Sequence, residues 1–207
     1  TLLFDQLMDD FSVLLTDINN QEIYQLFANA TNSLAKGELM QLSYQYNPNI
    51  DLDTYMSLIY QKTGILFSVA FELAAIISNK HNLRHILAKL GADFGTIFQL
   101  VDDQMDFQLK EDDKPRYQDL IQGKITLPTL YYLQNNPLNT KEVKLLKNKD
   151  HIFLKELLEK IISGETLHKT KNIIHTCKLK FETAIKNKFS NTNSLVKLSE
   201  QTLSTIL

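Results

Sequence analysis

The spacing of apolar residues is the feature that most constrains the fold of this chain. Apolar side chains recur every three to four residues, as Leu83, Leu87 and Leu90 do, and they do not alternate with polar ones as in half-buried strands. Only 6 glycines and 4 prolines interrupt the 207 residues, so little in the sequence opposes long helices. No linker is long enough to divide the chain. It is therefore predicted to be all-α, with residues 1–207 forming one helical domain.

Local signals predict where the helices begin and end. One helix should end near Asn19, and the next ones should cover about residues 23–46, 51–78 and 83–107. Lys-rich amphipathic segments predict further helices over about residues 140–148, 151–163, 166–189 and 192–206. The charged stretch after Phe107 is predicted to be a surface loop. Thr126, Leu127 and Pro128 are typical of a helix start, because a missing N–H costs little in the first turn.

The charge balance and the single cysteine exclude several classes of protein. With 22 basic and 24 acidic residues and a pI near 6.2, the chain has no overall attraction for nucleic acid or an anionic membrane surface. Cys177 alone cannot form an intramolecular disulfide or a cysteine-based zinc site, which fits a reducing compartment. No apolar run reaches the roughly 18 to 20 residues of a membrane span. We therefore expect a soluble, cytoplasmic protein, although an organelle stays open because the chain begins inside an apolar pattern.

Three aspartates lie at the C-terminal end of the predicted fourth helix. The spacing of Asp102, Asp103 and Asp106 places the first and last one turn apart on one helix face, with Asp103 beside them. Carboxylates so close repel one another unless a cation lies there, and oxygen ligands suit Mg²⁺. The alternative is a solvated acidic helix end, but negative charge at a helix C-terminus opposes the macrodipole. The cluster therefore predicts a magnesium site.

Further polar residues accompany the aspartates. Gln99 lies one turn before them, so its amide can point along the same face. Lys62 precedes the apolar stretch 65–77, where a lysine is unexpected without an anion; the alternative is a surface lysine that extends its ammonium into solvent. Lys114 and Lys124 follow the aspartates in predicted loop and turn segments. Each residue is weak evidence alone, but together they favour an anion site beside a metal.

These motifs, taken in this order, resemble the trans-isoprenyl diphosphate synthases over almost the whole chain. The stretch from Gly95 to Phe107 is similar to the second aspartate-rich motif of that family, and with Gly-Lys-x-Thr-Leu-Pro at residues 123–128 it is highly specific. The other matching segments are Gly37-Glu38-Leu39-Met40-Gln41, Tyr60-Gln61-Lys62-Thr63-Gly64, Lys114-Pro115 and Asp119-Leu120. The Gly-Glu-x-x-Gln pattern looks more like the longer-chain polyprenyl branch than the farnesyl branch.

The resemblance implies a fold, a reaction and a set of residue roles. The fold is a helical bundle of the isoprenoid synthase type. The enzyme would join an allylic prenyl diphosphate to isopentenyl diphosphate by Mg²⁺-assisted ionisation, giving a longer trans-polyprenyl diphosphate. The implied metal ligands are Asp102, Asp103 and Asp106, and the implied diphosphate ligands are Lys62, Lys114 and Lys124. The implied catalytic residues are Lys62, Thr63 and Gln99, and the implied cavity-lining residues are Glu38, Gln41 and Phe98.

The chain departs from the family at its N-terminal end. Asp9 and Asp10 suggest the first aspartate-rich motif, but Val13 occupies the position of its last aspartate and the pair lies too close to Asp102. By similarity, residues 1–17 match the helix that follows that motif. The first helices, the first metal-binding motif and the basic isopentenyl diphosphate site are therefore expected to be missing. The chain would be either part of a longer enzyme or a reduced subunit.

Two other functions stay open, and a partner is expected. A non-catalytic subunit that pairs with a catalytic prenyl diphosphate synthase would explain the missing motif, but it has no evident need for metal and phosphate ligands. A class I terpene cyclase would share the fold and the aspartate-rich helix, but it explains Gly-Lys-x-Thr-Leu-Pro less well. Since family members pair, we also expect a homodimer through residues 2–18 and 23–46, whose apolar stripes have to be buried.

Overall fold

The described part of the chain consists of helices joined by turns. A computed structural model describes residues 18–107 and 117–189, together with residues 10, 12, 13, 196, 197, 200 and 201. Within these residues there is no strand, so the all-α prediction is confirmed. Most of the helix predicted to end near Asn19, the loop after Phe107 and most of the helix predicted over residues 192–206 lie outside the described residues.

The helix bounds follow the apolar periodicity closely. In chain order the helices are α1 (Gln21–Ser43), α2 (Leu52–Ile59), α3 (Ile65–Ile77), α4 (Arg84–Met105), α5 (Gln118–Ile121), α6 (Leu127–Asn135), α7 (Thr140–Lys147), α8 (His151–Ser163) and α9 (Thr166–Lys188). A π-helical turn, Tyr60–Gly64, joins α2 to α3, and a 3₁₀ turn, His81–Leu83, precedes α4. The structure thus divides the predicted helix over residues 51–78 at a π turn and adds α5, which the sequence analysis did not predict.

Polar side chains begin several of these helices. The capping residues are Asn20 for α1, Asp51 for α2, Asn139 for α7 and Asp150 for α8. Each accepts hydrogen bonds from backbone N–H groups of the first turn, which have no partner within the helix. Thr126 occupies the capping position of α6 as predicted, but its side chain makes no capping hydrogen bond. Its hydroxyl is instead buried without a hydrogen-bond partner.

The centre of the fold is the contact between α3 and α4, which two glycines make possible. A Cβ atom added at Gly91 would lie 2.3 Å from the carbonyl oxygen of Phe67, and one added at Gly95 would lie 2.9 Å from the Cα of Gly64. The absence of side chains therefore lets the two backbones approach directly. The Phe94 ring fills the space next to them, 5.2 Å from the Phe67 ring and 5.8 Å from that of Phe181 in α9.

Helix α1 lies on the other side of α3 and is held there by apolar and ionic contacts. Ile23 and Ile76 form a small buried cluster of their own. Arg84, at the start of α4, makes ion pairs with Glu22 of α1 and with Glu72 of α3. The carboxylate of Glu72 is only 13% exposed, so this pair is less screened by solvent than an ordinary surface pair.

The segment Leu52–Ile77 forms one continuous helix when the π turn is included. It is the one helix among the described residues that is long and apolar enough, by length and composition, to cross a membrane. The sequence analysis expected no such segment because it considered only uninterrupted apolar runs. The finding is weak evidence for a span, since the core helix of a soluble protein meets the same criteria, and this helix packs against α4.

Gly91→Ala should destabilise the protein, because the new methyl group would overlap the backbone of Phe67. We expect the free energy of unfolding to fall by about 1 to 3 kcal/mol, measured by urea denaturation followed by circular dichroism. Gly164→Ala at the end of α8 is the control. There the backbone φ is -89° and the nearest atom to an added Cβ is 3.2 Å away, so the change should stay below about 1 kcal/mol. Equal losses in both variants would contradict the close-contact explanation.

Candidate active site

A polar pocket of about 160 Å³ lies between the C-terminal parts of α1 and α4, the α2 to π-turn segment and the turn before α6. It brings together six of the predicted site residues, which come from distant parts of the sequence; five of them are Gln41, Lys62, Gln99, Asp102, Asp103. Lys124 joins them from the turn after α5. The remaining lining residues are Tyr44, Ile50, Tyr55, Leu58, Ile59, Asp119, Ile125 and Thr126. The pocket thus combines carboxylates, which can bind a cation, with lysines, which can bind an anion.

The π turn positions Lys62 against α1. A Cβ atom at Gly37 would lie 2.9 Å from the backbone nitrogen of Lys62, so α1 packs directly on the turn. The Lys62 ammonium donates to the Gln41 amide oxygen at 2.5 Å and lies 3.4 Å from a carboxylate oxygen of Glu38. Single π turns inside α-helices occur frequently at functional sites. Here the turn places a cation at the edge of the pocket.

Asp103 is buried in the wall of the pocket and is fully engaged there. The Tyr55 hydroxyl donates to one carboxylate oxygen at 2.5 Å, and the Gln99 amide donates to the other at 2.8 Å. Burial raises the pKa of Asp103 to about 7, although both hydrogen bonds act in the opposite direction. Burial, followed by the negative charge of Asp103, raises the pKa of Tyr55 well above its ordinary value. Loss of solvation therefore dominates the electrostatics of this pair.

The other two aspartates of the cluster have different surroundings. Asp102 is exposed at the pocket, with the Gln99 amide 3.3 Å from its carboxylate. Asp106 does not line the pocket in the described structure; it accepts hydrogen bonds from the backbone N–H groups of Gln118 and Asp119, both at 3.2 Å. Asp102 and Asp103 thus both line the pocket, with Asp103 turned by about 100° from Asp102 toward the core, whereas Asp106 reaches the start of α5.

No group of three Asp, Glu, His or Cys side chains is arranged to hold a metal ion among the residues that the structure describes. The carboxylate best placed to meet a ligand from the pocket is that of Asp102. Burial, and then the charge of Asp119, raises the pKa of Asp106, while its backbone hydrogen bonds act against this rise. Asp106 thus contributes to the start of α5 in this structure.

The turn before α6, which carries Lys124, packs against Tyr46 and is hydrogen-bonded to it. Gly123 has a φ of +81°, and an added Cβ would lie 2.4 Å from the Tyr46 ring. The backbone N–H of Tyr46 donates to the Gly123 carbonyl, and its hydroxyl donates to the Ile121 carbonyl, both at 2.8 Å. The Lys124 ammonium then donates to Asp119 at 2.7 Å inside the pocket. A glycine is needed here both for the positive φ and for the ring contact.

Several predicted site residues lie beside the pocket, and one lies outside the residues that the structure describes. Thr63 does not line the described pocket, but its hydroxyl donates to the Gln99 amide oxygen at 2.6 Å. Glu38 contacts the pocket only through Lys62, and Phe98 is 37% exposed and packs on Phe67. Lys114 lies outside the described residues.

The sequence analysis missed Tyr55 and Thr126 as pocket residues and gave no role to Asp119. Tyr55 lies seven residues before Lys62 on the same continuous helix, a spacing that places residues on one side of a helix over two turns. This spacing could have indicated that Tyr55 lies on the same side of the helix as Lys62. It was not specific, because a buried aromatic residue on an apolar helix face is ordinarily a core residue.

The family model and the similar curated proteins all belong to the polyprenyl diphosphate synthases. The polyprenyl synthetase family model matches residues 5–162. The chain is 34% identical over 160 residues to heptaprenyl diphosphate synthase component 2 of Bacillus subtilis. This alignment covers 76% of the chain and 44% of that protein. It is 32% identical over 161 residues to octaprenyl diphosphate synthase of Haemophilus influenzae, covering 76% of this chain and 48% of that protein. The chain thus spans under half the length of these curated relatives.

The fold is also found in solved structures. Heptaprenyl diphosphate synthase from Staphylococcus aureus superposes with a TM-score of 0.82 and 26% identity, over 91% of this chain and 61% of that one. Decaprenyl diphosphate synthase from Rhodobacter capsulatus superposes equally well, with a TM-score of 0.82 over 94% of this chain and 62% of that one. At 24% identity the second likeness shows the fold alone.

The contacts of Asp106 predict a structural contribution that Asp102 lacks. Asp106→Ala leaves two backbone N–H groups without their acceptor, so the free energy of unfolding should fall by about 1 to 2 kcal/mol. Asp102→Ala removes an exposed carboxylate and should change it by less than about 0.5 kcal/mol. Urea denaturation of the two variants measures the difference. A loss from Asp102→Ala as large as that from Asp106→Ala would contradict the placement of these side chains.

Proposed function

Because the chain belongs to the polyprenyl synthetase family, we propose that the protein containing it joins an allylic prenyl diphosphate to isopentenyl diphosphate, giving a longer trans-polyprenyl diphosphate. The observation that carries this proposal is the pocket, whose lining includes Lys62 and Lys124 together with the carboxylate of Asp102 and the amide of Gln99. The relatives named for heptaprenyl and octaprenyl products support a longer-chain product. In this reaction the allylic carbon–oxygen bond breaks and diphosphate leaves, the double bond of isopentenyl diphosphate forms the new carbon–carbon bond, and the resulting cation loses a proton to restore a double bond.

The two lysines of the pocket are proposed to bind the departing diphosphate. Each carries a compact positive charge that can meet phosphate oxygens without the fixed geometry of an arginine. The Lys62 side chain is 28% exposed and that of Lys124 is 27% exposed, so both are accessible from the pocket but partly shielded from bulk water. Lys114 is proposed as a further ligand from its place in the family motif alone. Positive charge at these positions stabilises the diphosphate as the carbon–oxygen bond breaks.

We propose that a magnesium ion binds beside Asp102 at one edge of the pocket, with the substrate phosphates and water completing its ligands. The Asp102 carboxylate is exposed there, and the pocket offers oxygen donors of the kind that Mg²⁺ prefers. Bound Mg²⁺ would neutralise negative charge on the leaving diphosphate. Asp102 is proposed to hold the ion, with Asp103 and Asp106 fixing the surrounding structure or acting through water.

Gln99 and Thr63 are proposed to face the allylic cation. The Gln99 amide is fixed at both ends, by Asp103 and by the Thr63 hydroxyl. Dipoles that are already oriented stabilise developing charge without reorganisation during the reaction. Gln41 lines the pocket and holds Lys62, while Glu38 and Phe98 are proposed to line the wider cavity.

Incubation of the protein with an allylic prenyl diphosphate, isopentenyl diphosphate and Mg²⁺ tests the proposal, with the products separated by chain length. Lys62→Ala and Lys124→Ala should each lower the rate of condensation by about 10- to 1,000-fold, since about 1.4 kcal/mol of lost transition-state stabilisation corresponds to each tenfold. Lys89→Ala is the control, because this α4 side chain is 78% exposed and pairs with Asp93 on the helix surface. Its rate should stay close to that of the unchanged protein.

Two outcomes would overturn the catalytic assignment. Unchanged rates in both pocket variants, with folding intact, would exclude the lysines as diphosphate ligands. A protein that is inactive alone but alters the product length of a separate catalytic prenyl diphosphate synthase would favour the partner-subunit alternative.

We also propose a homodimer through the outer face of α1. Tyr24, Leu39 and Leu42 lie along one face of the helix and are 38%, 67% and 60% exposed. Other apolar residues of the helix are covered within the chain: Ala30 is fully buried, and Leu34 and Met40 are half-buried. Apolar side chains on one exposed helix face favour a protein contact, and a twofold-symmetric pair is the commonest arrangement that covers one. The part of the expected interface formed by residues 2–18 lies largely outside the described residues.

Leu39→Glu combined with Leu42→Glu should convert the dimer into a monomer in sedimentation velocity at micromolar concentration. Charged side chains would have to be desolvated at the centre of the contact, which is strongly unfavourable. Ile152→Glu on α8 is the matched control, since this residue is 74% exposed but lies on another helix. A monomeric unchanged protein, or a dimer that survives the double substitution, would refute the proposed interface.

A further inference from the structure

A chain of hydrogen bonds runs through the wall of the pocket from α2 to the π turn. Tyr55 is 2% exposed, and its hydroxyl donates to Oδ2 of Asp103 at 2.5 Å. Nε2 of Gln99 donates to Oδ1 of the same carboxylate at 2.8 Å. Oε1 of Gln99 in turn accepts from the Thr63 hydroxyl at 2.6 Å. Four side chains from α2, α4 and the π turn are thus joined donor to acceptor.

The Asp103 carboxylate fixes the direction of every bond in this chain. Both of its oxygens accept: Oδ2 from the Tyr55 hydroxyl and Oδ1 from the Gln99 amide N–H. The Gln99 side chain then has one orientation, with its NH₂ group toward Asp103 and its carbonyl toward Thr63. Since the Thr63 hydroxyl donates its proton to that carbonyl, only its oxygen lone pairs are available to any other neighbour.

The Tyr55 hydroxyl is the donor on which this arrangement depends most. Asp103 is 4% exposed, so solvent has little access to replace a lost donor at Oδ2. A buried carboxylate oxygen without a partner is unfavourable, and the strain is relieved when the side chain moves toward another donor. This movement alters the acceptor that the Gln99 amide requires. The NH₂ group of Gln99 would then be held mainly by its longer contact with Asp102, at 3.3 Å, so the amide would be less firmly oriented and more free to rotate.

We propose that Tyr55 is a positioning residue for prenyl transfer, whose hydroxyl holds Asp103 and, through Gln99, keeps oxygen lone pairs rather than N–H groups facing the allylic cation. The inference rests on the proposed function. Fixed oxygen dipoles stabilise positive charge that develops in the transition state, whereas a rotated amide would oppose it. Tyr55 acts through Asp103 and Gln99, so its effect should appear in the chemical step more than in substrate binding.

Tyr55→Phe tests this proposal in the full protein, because it removes the hydroxyl and keeps the ring. We expect kcat to fall by about 10- to 100-fold while KM for each diphosphate changes by less than about threefold, since the lost stabilisation belongs to the transition state. Tyr132→Phe is the control; this half-buried tyrosine of α6 is not among the described residues that line the pocket. Thermal melts of each variant correct the rates for the folded fraction. A kcat within about twofold of the unchanged protein would overturn the inference.

Two further measurements separate positioning from a purely structural role. The side-chain amide signals of Gln99, assigned in ¹⁵N-glutamine-labelled protein with Gln99→Leu, should shift in Tyr55→Phe but not in Tyr132→Phe. The double variant Tyr55→Phe with Gln99→Leu should have the kcat of Gln99→Leu alone, because residues that act in series are not additive. Unshifted signals or additive losses would overturn the inference.

The amide signals also distinguish this inference from the proposed function, because they need no turnover. An unchanged protein that fails to condense the two diphosphates would refute the proposed function. The same protein would still show, by the Gln99 signals, whether the Tyr55 hydroxyl controls the orientation of the amide.

Discussion

The close approach of α3 and α4 is the constraint on which the rest of the structure depends. Gly91 and Gly95 leave no room for even a methyl group at the contact. The π turn that precedes α3 therefore lies against the part of α4 that carries Gln99 and Asp103, and the Thr63 hydroxyl can reach the Gln99 amide. Interiors packed this tightly transmit small displacements. The spacing between the two helices thus sets the geometry of the pocket as well as the stability of the core.

Most of the fold could be predicted from periodicity. The predicted helices over residues 140–148, 151–163 and 166–189 end within one residue of α7, α8 and α9, because each has a complete apolar face and a local cap or terminating signal. The short α5 was missed for a physical reason. It spans four residues, and its first N–H groups are satisfied by Asp106, which lies twelve and thirteen residues earlier in the chain. A local pattern carries no information about such a contact.

The candidate site was predictable in composition but not in arrangement. The aspartates, the lysines and Gln99 are residue types whose chemistry suggests a metal and an anion. Helical spacing placed Gln99 beside the aspartates, and the order of the motifs associated the lysines with them. Their hydrogen-bond partners could not be inferred, since Tyr55 and Asp103 lie 48 positions apart in the sequence. Burial then distinguishes the exposed carboxylate of Asp102 from that of Asp103, which is buried in the wall of the pocket. It is the three-dimensional packing, rather than the motif, that separates Asp102 from Asp103.

Both pocket lysines already have partners within the chain. Lys62 contacts Gln41 and Glu38, and Lys124 contacts Asp119. The diphosphate proposed to bind there would have to exchange these contacts for its own, so its binding free energy would be the difference between the new interactions and those that it displaces. Such competition weakens the equilibrium affinity while keeping each ammonium group in position. It would also favour dissociation of the diphosphate product, because the oxygens of Gln41, Glu38 and Asp119 can bind the lysines again as the diphosphate leaves.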